Sequence, residues 1–193
     1  MAKTAIHTLP NTHDRLLESL RPVLLVVGAS LFVALCARIT IPLMPLTPVP
    51  LTMQNLGVLL VGLLLGSRRG FAAMTLYLME GIVGLPVFNP TGPGGMAQLF
   101  GATGGFLLAY PFVAFVAGYF FERGAKSFVR ALIAGSLAEI LLFAGGLSWL
   151  YIVTHSLAKA AYLGLYWFVF AEIIKVMVAA GVAARWHRWR AER

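Results

Sequence analysis

Apolar positions fall into six runs along the chain, and charged positions gather at the ends of those runs. The runs cover about 22–41, 53–66, 71–83, 106–121, 128–151 and 164–185. A helix crossing a bilayer needs about 20 mostly apolar residues. The pattern predicts an all-α membrane protein, with six transmembrane helices in one bundle over 22–185. A polar tail over 1–21 precedes the bundle and a basic tail over 186–193 follows it. Pro22 suits the first turn of the first helix, where its missing N–H has no partner in any case. Ser30, Ala34 and Ala37 share one face of that helix, a small-residue stripe that lets a second helix approach.

The sixth run, Gly164 to Arg185, carries Glu172 and Lys175 near its middle. A charged side chain at the centre of a spanning helix costs roughly 2.5–3.5 kcal/mol on insertion scales, so neither residue is expected to face lipid. Spaced i, i+3, the two project from one face and set an acceptor beside a donor. Two readings follow: an ion pair that satisfies itself and steers helix packing, and a polar contact for a ligand held among the helices. The second is the sharper expectation.

Two connecting segments are unusual. Residues 42–52 hold four prolines, which exclude a helix and predict a stiff apolar loop, a plausible lid. Gln54 and Asn55 follow it and open the second run. Residues 84–105 are rich in glycine, with three prolines, and are expected to be non-helical. Their glycines let backbone groups come close to a ligand. Irregular backbone near membrane depth is tolerated where it is buried in protein or lines a cavity.

Composition narrows the class. Of 193 residues 60% are hydrophobic and 11% charged, too little charge to cover a soluble domain. The formal net charge of +8 is explained by position. Six crossings put twelve Lys and Arg residues on the side of the termini, against only Arg38 and Lys159 across from them, with Lys175 between. The positive-inside rule then places both termini in the cytoplasm and both unusual loops outside, with no nucleic-acid partner required. Trp186 and Trp189 in the basic tail read as an interfacial anchor. Cys36, the single cysteine, is a small apolar filler.

Catalytic chemistry is sparse. His7, His13 and His187 lie near the termini and His155 in a loop, and neither HExxH nor a phosphate-binding GxxxxGK[ST] occurs. Glu139 and Glu172 both lie on runs, but nothing in the sequence brings them together. Glu80 is assigned to pairing with Arg38. These features predict no enzyme, no cofactor and no metal site, and a binding subunit that needs a partner to do work.

Thr47-Pro48-Val49-Pro50-Leu51-Thr52-Met53-Gln54, followed by LGVLLVGLLLG, combines with Gly84-Leu85-Pro86-Val87-Phe88, Gly94-Gly95 and Gly101-Ala102-Thr103-Gly104-Gly105-Phe106. Together these stretches resemble the BioY family, the substrate-binding (S) subunits of biotin transporters of the energy-coupling-factor class. The resemblance implies a six-helix bundle in the cell membrane that captures biotin from outside. It also implies docking on a transmembrane coupling subunit with two cytoplasmic ATPases, which some family members do without. The family's acidic-x-x-Lys motif falls on Glu172 and Lys175, and its threonine-glutamine entry to the second helix on Thr52 and Gln54. The stripe facing the coupling subunit falls on Ser30 and Ala34. Phe170-Ala171-Glu172 replaces the usual Pro-Gly-Asp, which suggests a last helix without a kink; Pro93, Ala102 and Phe106 are further departures.

Biotin presents ureido N–H donors, a ureido oxygen, an apolar bicycle and a carboxylate. The fit implied is Glu172 accepting from the ureido N–H groups and Lys175 donating to the ureido oxygen or the carboxylate. Gln54 and Asn89 add neutral hydrogen bonds, Gly94 and Gly95 close backbone contact, and Phe88, Tyr110 and Trp167 apolar walls. An S subunit for another vitamin such as thiamine or riboflavin, a stand-alone biotin carrier, and a membrane scaffold without ligand are the alternatives.

Overall fold

The structure is a computed structural model that describes residues 12–192. Most of the expected polar tail, with Lys3 and His7, lies outside the described residues, as does Arg193. Ten elements and one π-helical turn follow in order. They are α1 (Thr12–Arg38), β1 (Thr40–Ile41), β2 (Leu51–Thr52), α2 (Gln54–Leu65), α3 (Ser67–Ile82), α4 (Gly95–Phe100), α5 (Gly104–Glu122), α6 (Phe128–Thr154), α7 (Leu157–Ala161), the π-turn Tyr162–Tyr166 and α8 (Val169–Ala191).

The six long helices correspond to the six apolar runs, but their lengths differ from expectation. By length and apolarity, three described helices can cross a bilayer: the Leu20–Arg38 part of α1, α5 and α6. The bent pair of α7 with its π-turn and α8 makes a fourth. At 1.5 Å per residue, the 12-residue α2 and 16-residue α3 reach only about 18 and 24 Å, short of a hydrocarbon core of about 30 Å. The reason lies in their packing. Gln54 to Leu59 of α2 are all buried, so its apolar residues serve the interior of the bundle instead of facing lipid. The helices around it do face outward with apolar side chains: Leu35, Ile140 and Phe170 are 69%, 67% and 83% exposed. Such a surface is suited to lipid and poorly suited to water.

Helix α5 is the centre of the assembly, packing on α2, α3 and α6. Glycines permit the approach. A Cβ at Gly62 would lie 3.0 Å from the Ala114 Cα on α5, and one at Gly145 of α6 would lie 3.0 Å from the Ala109 Cβ. At the far end Ser67 Oγ donates to Glu122 Oε1 (2.5 Å) and Ser67 N to Glu122 Oε2 (3.1 Å), fixing the α2–α3 turn to the end of α5. That turn is one residue, Gly66, at φ +84°. Residues 67–70, between the second and third apolar runs, are helix.

Four further expectations are corrected. First, α1 begins at Thr12 and runs through Pro22, so that proline lies inside the helix and not in its first turn. The carbonyl left without an N–H partner is that of Glu18, an exposed residue. Second, the Pro-rich loop is closed by a strand pair in which Thr40 faces Thr52 and Ile41 faces Leu51. Pro42 holds Ile41 extended, and an extended segment on each side of the loop completes the ladder. Third, the Gly-rich segment contains α4; the positive φ of Gly94 and Gly95 turns the chain, and Met96 to Phe100 then coil.

The last crossing is the fourth. A single straight helix was expected from 164 to 185, without a kink. Instead a 45° bend at Trp167 and Phe168 separates α7 and its π-turn from α8. A π-turn widens the helix by one residue and leaves a local break in the i→i−4 ladder, so proline is not needed for the bend.

The close approach of α2 and α5 is testable by comparing two glycines. Gly62→Ala should destabilise the protein by about 1–3 kcal/mol through overpacking, although alanine is the better helix former. Gly28→Ala, where a Cβ meets nothing within 4 Å, should gain up to about 1 kcal/mol. Thermal unfolding in detergent reads both; equal shifts would refute the contact.

Candidate functional site

Where α2 begins, two amides enter the bundle on different faces. Gln54, 1% exposed, donates from Nε2 to the Tyr77 hydroxyl on α3 (2.7 Å), and that hydroxyl in turn donates a hydrogen bond to the Val87 carbonyl (2.9 Å). Asn55 faces the other way. Its Nδ2 donates to Glu139 Oε1 on α6 (2.5 Å) and to Glu172 Oε2 on α8 (2.6 Å). Lys175 Nζ donates to Glu172 Oε1 at 2.6 Å, so the i, i+3 pair expected from the sequence is formed and buried.

The bend before α8 sets this pair in place. Glu172 N donates to Phe168 O (2.9 Å), putting the carboxylate in the first turn of α8, where free N–H groups and the helix dipole favour negative charge. The cluster has more acceptors than donors. Two carboxylates share one ammonium and one amide NH₂, and Glu139 Oε2 and Asn55 Oδ1 are buried without a partner among the described residues. Buried polar atoms are rarely left unpaired, and a ligand bringing N–H donors would relieve the imbalance.

A cavity lies against this cluster. Its polar lining is Thr52, Gln54, Asn55, Asn89, Thr103, Glu172 and Lys175; Phe106, Tyr110, Phe143 and Phe168 supply apolar walls, with Val49, Pro50, Leu107 and Leu142. The Pro-rich loop therefore covers it, as a lid would. Thr47 at the loop's middle donates to the Leu163 carbonyl of the π-turn (2.7 Å) and accepts from Val49 N (3.1 Å). The space is narrow, about 50 Å³, against roughly 300–1,000 Å³ for small-molecule sites. A ligand of vitamin size enters only if the loop or the phenylalanine rings yield.

Of the residues expected at a site, Thr52, Gln54, Asn89, Tyr110, Glu172 and Lys175 line this cavity. Four others lie away from it. Phe88 packs its ring on Gly81 and edge-on to Tyr77 at 5.5 Å between centroids. Trp167 stands edge-on to Tyr162 and Tyr166 (5.7 and 5.0 Å). Gly94 donates its N–H to Gln98 Oε1 (3.1 Å), and Gly95 follows it into α4. Ser30 is fully buried with its hydroxyl donating to Glu80, and Ala34 packs on the core, so the stripe they form faces this chain's own bundle.

Two expectations about charges are corrected. Glu139 and Glu172 do come together, through the Asn55 amide. Glu80 does not pair with Arg38, whose guanidinium instead donates to the carbonyls of Pro86 and Phe88 and holds the start of the Gly-rich segment. Asn55, Glu139, Thr103, Phe106, Phe143 and Phe168 join the site only through the tertiary structure. For Asn55 a signal existed: two successive amides open an otherwise apolar run, and on a helix neighbours about 100° apart cannot serve the same partner. Among the described residues no group of three His, Cys, Asp or Glu is placed to hold a metal.

The model of the family described as the BioY family matches residues 7–192. Among relatives, "Biotin transporter BioY" of Thermotoga maritima is 35% identical over 167 residues, covering 86% of this chain and 98% of that protein. "Biotin transporter BioY" of Rhizobium etli is 37% identical over 143 residues, 69% of this chain and 75% of that one. "Probable biotin transporter BioY" of Pyrococcus horikoshii is 35% identical, covering 81% and 91%. The fold is similar to that of the crystallised S-component for biotin from an ECF-type ABC transporter. That match has a TM-score of 0.80 at 23% identity and covers 93% of this chain and 95% of that one. With the family model spanning nearly all of its length, this chain belongs to the BioY family.

Proposed function

We propose that this protein is the membrane subunit that captures biotin from outside the cell and passes it on for uptake, a transport component and not an enzyme. The observation that carries the reading is the buried Asn55–Glu139–Glu172–Lys175 cluster at a cavity roofed by the Pro-rich loop, in a family whose relatives are biotin transporters. Glu172 accepts from the ureido N–H groups. Lys175 donates to the ureido oxygen or the tail carboxylate, Gln54, Thr52 and Asn89 complete the polar contacts, and Tyr110, Phe106, Phe143 and Phe168 enclose the bicycle. A wrong ligand leaves this cluster unpaired in a low-dielectric site, which is the basis of discrimination. Six crossings, with the termini cytoplasmic, put the loop on the outer face and the arginine-rich ends inside. There a transmembrane coupling subunit with two ATPases completes the transporter.

Binding of labelled biotin to the purified protein tests the site. Lys175→Ala removes a charged hydrogen bond worth about 1.5–3 kcal/mol and should weaken binding roughly ten- to a hundredfold; unchanged affinity would reject the assignment, and tighter binding of thiamine or riboflavin would reassign the ligand. Thr47→Val keeps the loop's bulk but deletes its bond to Leu163, worth about 1 kcal/mol, so biotin should dissociate several times faster with little change in its on-rate. Uptake by cells expressing this chain with and without the coupling module checks the partners: equal uptake would make it a stand-alone carrier.

A further inference from the structure

We propose that the arginine-rich end of the bundle holds an anionic phospholipid, headgroup and acyl chain together, in a groove continuous between α1 and α2. This site lies at the opposite end of the helices from the biotin cavity and does not depend on the transport reading. Two adjoining hollows make it. The first, about 590 Å³, is edged by Arg21 of α1, Arg69 of α3 and Arg190 of α8, with Glu18 the one carboxylate among its lining residues. The three arginines come from three helices, and among the described residues none of them takes part in an ion pair. Trp186 forms another edge, with the Arg190 guanidinium 5.7 Å from its ring, the pairing of aromatic and cation expected at headgroup level.

The second hollow, about 400 Å³, shares Leu25, Leu64 and Leu65 with the first, so the two run into one another. Its remaining lining is wholly apolar, with Leu24, Phe32, Leu60, Val61 and Val182 around Gly28. A side chain at Gly28 would meet nothing within 4 Å, so the glycine leaves that groove clear. Three guanidinium groups against one carboxylate, opening into an apolar trough along the helices, match a phosphate ester joined to a hydrocarbon chain. A soluble phosphate would use only the first hollow, and a neutral lipid only the second. An arginine pocket between helices at a cytoplasmic surface is a recognised way to hold acidic headgroups.

The test uses the full-length protein purified in a neutral detergent and offered phosphatidylglycerol or phosphatidylcholine with identical chains, bound lipid being counted by native mass spectrometry. Wild-type protein should retain phosphatidylglycerol roughly tenfold or more over phosphatidylcholine, from about 1 kcal/mol per net positive charge. The triple substitution Arg21→Gln, Arg69→Gln, Arg190→Gln should abolish the preference, while Arg→Lys at the same three positions should keep most of it. Gly28→Phe fills the trough without touching the charges and should reduce retention with no fall in the unfolding midpoint, so the proposal stays testable if the triple variant folds poorly. Equal retention of the two lipids, or full displacement by glycerol 3-phosphate without chains, would overturn it. Lipid retention indifferent to both sets of substitutions, with the arginines needed instead to co-purify a protein subunit, would assign the groove to that subunit and also overturn it.

Discussion

One side chain, Asn55, holds the functional end of the bundle in register. Its NH₂ group donates to two carboxylates from different helices, Glu139 on α6 and Glu172 on α8, in an interior where charges are costly unless paired. Removal of that amide would leave two acids facing one lysine. The arrangement ties α2, α6 and α8 together where the chain has least room for error. The first turn of α2 is buried and delivers two amides to two different partners, while Leu60, Leu64 and Leu65 further along α2 are only half-buried.

The lid and the cluster are mechanically joined. The Pro-rich loop is braced at its base by the β1–β2 ladder and at its middle by Thr47 on the π-turn, and the π-turn leads directly into the bend that presents Glu172. Movement of the loop therefore bears on the backbone that positions the carboxylate. The narrowness of the cavity follows from the same arrangement, since loop and phenylalanine rings close over polar groups that would otherwise meet water.

The two ends of the molecule divide the chemistry. At one end loops, amides and acids make a small polar cavity. At the other, arginines and tryptophans meet apolar grooves, a composition suited to the boundary between lipid and water. Glycine contacts along α5 hold the ends together, with Gly62 and Gly145 allowing helices to approach at backbone distance.

Much of this could be read from the chain. The apolar runs located all six long helices because hydrocarbon and protein interior both demand them. Charge at the centre of the last run marked Glu172 and Lys175 because neither survives facing lipid, and proline and glycine density marked the two loops. Hydrophobicity alone could not separate a lipid-facing helix from one packed inside the bundle, so nothing in the run over 53–66 marked the burial of Gln54 to Leu59. The bend before Glu172 needed no proline and left no local mark. The meeting of Asn55, Glu139 and Glu172 spans more than a hundred residues, and Phe88 and Trp167 could equally have been walls or packing. Those outcomes were decided by which helix faces met in three dimensions, because a side chain's partner depends on the rotation and contact of whole helices, which residue spacing within one helix does not encode.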